Sequence, residues 1–412
     1  MRLKSILVKL AAIAVSVVFT ILLLELASFA VLSVHYKNVV SPRERFRKDN
    51  NNTFISWMAA GRDCGYIDTL FPHPYLGFVH HDNPPCGTPG INNIGLFGRN
   101  YPSEKTPGKF VILLTGGSVA AQFGYFHNQS PSYLEQILNR DYVSPKGGEF
   151  QVLNGGDGAW KQPQQAILFL LYSDAVDGVV TLDGFNEHYM LGVGSRFELP
   201  ANNFLDVNPL ATGDFGTVAI NWIWGNIHRY VERNPILSRS NSLYLILKVT
   251  GPDARGEVAG AGNRHTSIQS IFALPQDWDA KKRLDWSLRQ YQKYILAMES
   301  IAHEEGVLSA YFVQPAPAIG KPLTDEEKQV VGDLNYGNAY RQMTDSLLDL
   351  RRRNVHVVSL LDIFQNSHES LYADPIHMKW DNNQENAGYK MMAEKMAPML
   401  AEAWHLKPRN AR

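Results

Sequence analysis

Ser118, Asp374 and His377 are the residue types that acyl transfer uses, and each stands where the chain pattern places side chains at the edge of a sheet. Ser118 lies in residues 110–124, FVILLTGGSVAAQFG. Five apolar residues, 110–114, stop at Thr115-Gly116-Gly117-Ser118, and small residues suited to a helix start follow. This reads as a buried parallel strand, a tight turn and a helix N-terminus. A serine there faces backbone N–H groups and a helix dipole, which favour developing negative charge. Taken alone, Gly-Gly-Ser also fits an ordinary turn in which Ser only caps the helix. G-x-G-x-x-G is absent as written, which speaks against a dinucleotide loop.

Three more polar clusters fall just after segments that read as strands: the Gly155–Ala159 turn, Asn186, and Asp374 with His377. Acyl transfer needs a nucleophile, a base, a group that orients the base, and donors for the oxyanion. The set supplies one of each. Ser118 would attack, His377 would take its proton and return it to the leaving group, and Asp374 would hold the imidazole tautomer. The oxyanion donors would be the backbone N–H of Ser118, a backbone N–H of the Gly158/Ala159 turn and the Asn186 amide. A lone D-x-x-H is a weak signal, and its spacing is not a metal motif. The ordered set is what carries weight. This chemistry calls for no metal or organic cofactor.

The elements that must position these groups follow from the apolar pattern. Strands are expected at 110–114, 150–153, 178–182, 308–313 and 355–360, with helices at 133–140, 164–176, 281–305, 340–353 and 387–404. Strands alternating with helices argue for an α/β fold with a doubly wound parallel sheet, whose sites form at the carboxyl edge. Between about 189 and 280 the rhythm is lost in a stretch holding Trp222, Trp224, Tyr230, Trp278 and a Gly-rich loop. It reads as an insertion of the kind that forms walls and lids, or as a helical hairpin shielding the sheet.

The first 36 residues differ from the rest. Between residues 10 and 34 only Glu25 is charged, and 25 helical residues at about 1.5 Å each suffice to cross a bilayer core of about 30 Å. The apolar run is longer than that of a signal peptide, which favours an uncleaved anchor. Lys37, Arg43, Arg45, Arg47 and Lys48 follow the span, so the positive-inside count does not favour an outside C-terminus. The short basic start nevertheless resembles a signal-type n-region. The expected organisation is a tip and anchor at 1–36, a stalk and loop-rich lead-in at 37–108, and an α/β domain at 109–412 with its insertion. Cys64 and Cys86, the only two cysteines of the 412 residues, lie in one Gly/Pro-rich segment. They suit a disulfide if the domain is extracytoplasmic, and free thiols otherwise. A formal net charge of −1 removes any general argument for nucleic-acid binding.

The order and spacing resemble the SGNH (GDSL-type) hydrolases. Its four blocks appear as TGGS at 115–118, NGGDGAW at 154–160, DGFNE at 183–187 and DPIH at 374–377, and ENAGYKMMAE at 385–394 looks like the family's closing helix. The resemblance covers roughly 108–404, with the insertion unmatched. It implies a three-layer flavodoxin-like fold of about five parallel strands and hydrolysis or transfer of an acyl ester. Gly117 stands where the family often carries Asp, Ala159 falls on the oxyanion glycine with Gly158 one position early, and Glu187 replaces an aspartate. A backbone donor tolerates alanine at 159 if its dihedral angles are ordinary. The expected function is a membrane-anchored extracytoplasmic serine esterase acting on an acyl ester, such as an acetyl ester, of a small molecule, glycan or lipid. An acyltransferase on the same residues, or a non-catalytic glycan-binding component, are the competing readings.

Overall fold

The computed structural model describes residues 2–36, 41–51, 70–80, 90–125, 131–191, 194–199, 215–251 and 272–409. Along the chain come helices α1 (Arg2–Tyr36) and α2 (Pro42–Asn51), strand β1 (Lys109–Gly116), α3 (Ser118–Gly124), α4 (Tyr133–Asp141) and β2 (Glu149–Gly156). Then follow α5 (Gln164–Tyr172), β3 (Gly178–Asp183), α6 (Phe185–Leu191), α7 (Phe215–Arg233), α8 (Asn241–Thr250) and α9 (Ala280–Glu305). The chain continues with β4 (Leu308–Val313), α10 (Asp325–Val330), α11 (Gly337–Leu348), β5 (Val357–Ser359) and α12 (Ala387–Ala403). It divides into two compact units, residues 1–68 with 206–267, and residues 69–205 with 268–412.

The second unit is built on a five-stranded sheet, all parallel, in the order β2-β1-β3-β4-β5. This is the flavodoxin-like arrangement, and the fold class expected from the sequence is the one observed. β3 is buried along its whole length, as a central strand covered on both faces must be. Register decides where the chemistry falls. Gly116 pairs with Gly156 on one side and Leu182 on the other, Asp183 with Val313, and Val313 with Ser359. The five carboxyl ends are therefore level, and the segments that follow them open onto one edge.

Two groupings bear on the lead-in and the insertion. Described residues of the stretch expected as a lead-in belong with the sheet: Tyr101 donates its hydroxyl to the Asn154 carbonyl at 2.8 Å, and Gln164 donates its amide to the Leu76 carbonyl at 2.6 Å. These pairs lie 53 and 88 residues apart, so local composition shows only loop-forming residues there. Residues 206–267 of the insertion are grouped with α1, in the first unit, and not with the sheet. Cys64 and Cys86 lie outside the described residues.

The start of α3 rests directly on the end of β2. A Cβ at Gly156 would lie 2.6 Å from the Ala121 nitrogen and 2.9 Å from the Gly117 oxygen. Both are backbone atoms, so nothing can rotate away. Gly156→Ala is expected to lower stability by about 1–3 kcal/mol through displacement of the turn that carries Ser118, measured as a fall in denaturant midpoint at unchanged slope.

Candidate active site

The loop after β5 folds back so that His377 Nε2 lies 2.7 Å from Ser118 Oγ, while His377 Nδ1 lies 2.8 Å from Asp374 Oδ2. The second carboxylate oxygen of Asp374 accepts from the backbone N–H of Ile376 at 2.9 Å and of His377 at 2.8 Å. The sequence Asp-Pro-Ile-His thus closes a local turn in which the aspartate holds both the backbone and the imidazole of the residue three positions on. A neutral imidazole bound to a carboxylate through Nδ1–H presents Nε2 as the acceptor for the serine hydroxyl. Partial burial opposes the charge on Asp374, but the bonds from His377 and Ile376 outweigh it together and hold the carboxyl at about 2.

The expected oxyanion donors come from the segments that follow two strand ends. Asn186, in the first turn of α6, donates Nδ2–H to the Trp160 carbonyl at 2.9 Å, which leaves the second hydrogen of that amide available. A Cβ at Gly117 would lie 2.3 Å from Asn186 Nδ2. A side chain at 117 would therefore occupy the space of the Asn186 amide. In the turn after β2, the Gly158 N–H is already engaged, donating to Asp157 Oδ1 at 2.6 Å. Ala159 has φ of 59°, left-handed backbone that favours glycine. The condition set for an alanine donor at 159, ordinary dihedral angles, is therefore not met.

Three residues outside the sequence-based set hold or line this edge. His80 Nε2 lies 3.0 Å from Asp157 Oδ1 with both side chains buried, pinning the turn across 77 residues of chain. Lys161 is wholly buried, donates to the carbonyls of Gln162 and Phe197, and is pulled down to about 7 by burial, against the attraction of Glu187 and Glu198. Burial pushes the Glu187 carboxyl up, yet Glu187 accepts from the backbone N–H of Gly184 at 2.8 Å and of Gln162 at 3.0 Å. Glu187 thereby ties the loop before Asn186 to the turn after Ala159. The third residue is Gln314, directly after β4. It is buried, and its Nε2 has no partner among the described residues.

Ser118, Val119, Phe185, Asn186, Gln314 and Ile376 line an open cleft of about 160 Å³. Among the described residues, no cluster of three or more His, Cys, Asp or Glu side chains is placed to hold a metal ion.

No protein-family model and no curated protein matches this sequence. Among solved structures the chain is similar to a GDSL-like lipase from Bacteroides thetaiotaomicron, at 9% identity over 71% of this chain and 89% of that one, with a TM-score of 0.31. It is also similar to the lipase/acylhydrolase from Enterococcus faecalis, at 13% identity over 73% and 99% of the two chains, with a TM-score of 0.33. Likeness at this distance carries no chemistry, which rests on the side chains described above.

The depressed Asp374 carboxyl makes a signed prediction. Its folded-state value of about 2 lies below the ordinary 3.8, so its contribution to stability is present above 3.8 and is lost as pH falls through about 2. The stability difference between the parent and Asp374→Asn, followed by denaturant melts, is expected to be constant at neutral pH and to shrink across that acid window.

Proposed function

We propose that the protein is a membrane-anchored serine esterase in which Ser118, His377 and Asp374 hydrolyse a short acyl ester. The observation that carries the reading is the continuous hydrogen-bonded series Asp374–His377–Ser118, formed by residues 259 positions apart, at the edge where Asn186 also stands. Ser118 Oγ attacks the acyl carbon as His377 Nε2 takes its proton, and Asp374 stabilises the resulting imidazolium. The oxyanion is met by the N–H groups of Ser118 and Ala159 and by the free Asn186 amide hydrogen. His377 then protonates the leaving alkoxide, and water, activated by the same imidazole, releases the acyl group.

The little enclosed space beside Ser118 supports a short acyl group such as acetyl. The partly exposed rings of Phe185 and Tyr336, 5.7 Å apart edge to face, provide an apolar wall for the alcohol portion of a glycan or other substrate. Residues Ala11–His35 of α1 form an apolar run of 25 residues, nearly all of it unburied. At about 1.5 Å each it reaches roughly 38 Å, and this supports its reading as an anchor; the short basic start at Arg2, Lys4 and Lys9 is what favours the sheet unit outside the cytoplasm.

Fluorophosphonate labelling of the full chain tests the nucleophile. The parent is expected to label, Ser118→Ala to lose labelling entirely, and His377→Ala to slow it by roughly 10²–10⁴-fold, the usual worth of a general base, with both variants keeping the parent's circular dichroism. A folded parent that does not label would remove the esterase reading. Gln314 gives a finer test, because its amide nitrogen has no partner to lose among the described residues. Gln314→Leu should leave stability nearly unchanged and lower kcat/KM for acetyl esters by roughly tenfold, the worth of one hydrogen bond to substrate. An unchanged kcat/KM would place Gln314 outside substrate recognition.

A further inference from the structure

Within the first unit, a polar contact joins the insertion to the apolar helix. Glu25 of α1 accepts from the backbone N–H of Asn241 at 2.7 Å and of Ser242 at 3.3 Å, and from the hydroxyls of Ser240 and Ser242. It thereby satisfies N–H groups that the first turn of α8 would leave orphaned, and sets negative charge at the positive end of that helix. From this point α8 runs beside α1. Tyr244 and Leu247 are buried in one cluster with Leu32 of α1, Phe46 of α2 and Val231 of α7. Glu25 meets the first residues of α8, and Leu32, seven residues on, shares a buried cluster with Tyr244 and Leu247 further along α8, which fits two helices that point the same way. The turn joining α7 to α8 is therefore level with Glu25. Glu25 lies ten residues before His35, the end of the apolar run, which at about 1.5 Å per residue puts the turn roughly 15 Å inside that end.

At this level the turn presents Ile236, 79% exposed, next to the exposed Arg239. On α8, Ile246 and Val249 are 56% and 64% exposed and, three positions apart, share one face. A helix pair surrounded by water turns such residues inward. Here they extend the lipid-compatible surface of α1, to which the pair is already docked.

We propose that the α7–α8 turn, residues 234–240, is a second membrane contact, dipping into the bilayer leaflet that surrounds the C-terminal half of α1. Ile236 meets the acyl chains, and Arg239 extends toward the headgroup side of that leaflet, as a cationic side chain near an interface does. Glu25 is the latch that keeps the turn at this depth, so the anchor and the insertion form one membrane-seated element. The proposal rests on the reading of α1 as a membrane span.

Photocrosslinking of the full chain tests it. Benzoylphenylalanine is placed singly at Ile236, at Leu22 on α1 and at Leu170 on α5 of the sheet unit, in phosphatidylcholine–phosphatidylglycerol vesicles. Irradiation is followed by mass spectrometry for lipid adducts. Adducts are expected at 22 and 236 and not at 170. Within the same scheme, Glu25→Leu should reduce the yield at 236 several-fold and leave that at 22 unchanged. Adducts at 22 without adducts at 236 would overturn the second contact and leave the anchor standing. Crosslinking of 236 to a second copy of the chain would overturn it in favour of a protein interface. Absence of adducts at both 22 and 236 would overturn the span as well.

Discussion

The level register of the five parallel strands is the constraint on which the site depends. Because Gly116, Gly156, Leu182, Val313 and Ser359 lie side by side or in steps of one pair, the segments that follow them start at the same height. A slip of one residue in any ladder would turn alternate side chains to the opposite face and separate Ser118 from Asn186 or from the loop of His377. Close backbone packing enforces the arrangement. α3 rests on Gly156, and the Asn186 amide fills the space beside Gly117. The site is accordingly a property of the sheet edge, to which distant parts of the chain contribute one or two residues each.

Beneath that edge lies an ionic arrangement that is expensive to bury. Lys161, Glu187 and Asp183 are all removed from water, and burial shifts each towards its neutral form. Such groups gain little net stability over an apolar replacement, but losing one partner leaves the others uncompensated. Their placement is informative here. Glu187 gathers backbone N–H groups from both segments that flank the proposed oxyanion region, and Lys161 follows the turn containing Ala159. The strain of a left-handed alanine is held by the same surroundings, together with the His80–Asp157 pair.

Much of this was legible in the sequence, for identifiable reasons. FVILLTGGS announces a buried strand, a turn and an exposed serine through local pattern alone, and Asp-Pro-Ile-His contains its own turn, so both segments are where they were expected. The strands were found to within three residues at either end. His80 and Gln314 were not recognisable as parts of the edge, because their roles arise from contacts far away in the chain and from the register of β4. The positive φ of Ala159 was hidden because alanine does not advertise it as glycine would. The allegiance of the insertion to α1 was hidden for a different reason. Glu25 looked like an isolated charge in an apolar run until the serines and backbone of α8 were placed around it.

The central claim is that Ser118 forms a covalent acyl intermediate, and the direct measurement is to trap it. The full chain is mixed rapidly with p-nitrophenyl acetate, quenched in acid within the first turnover, and digested for peptide mapping. The account predicts an acetyl group on the peptide containing Ser118, on the serine itself, and none on that peptide in His377→Ala. Release of p-nitrophenol with Ser118 unmodified throughout, or with the acetyl group carried by another residue, would contradict it.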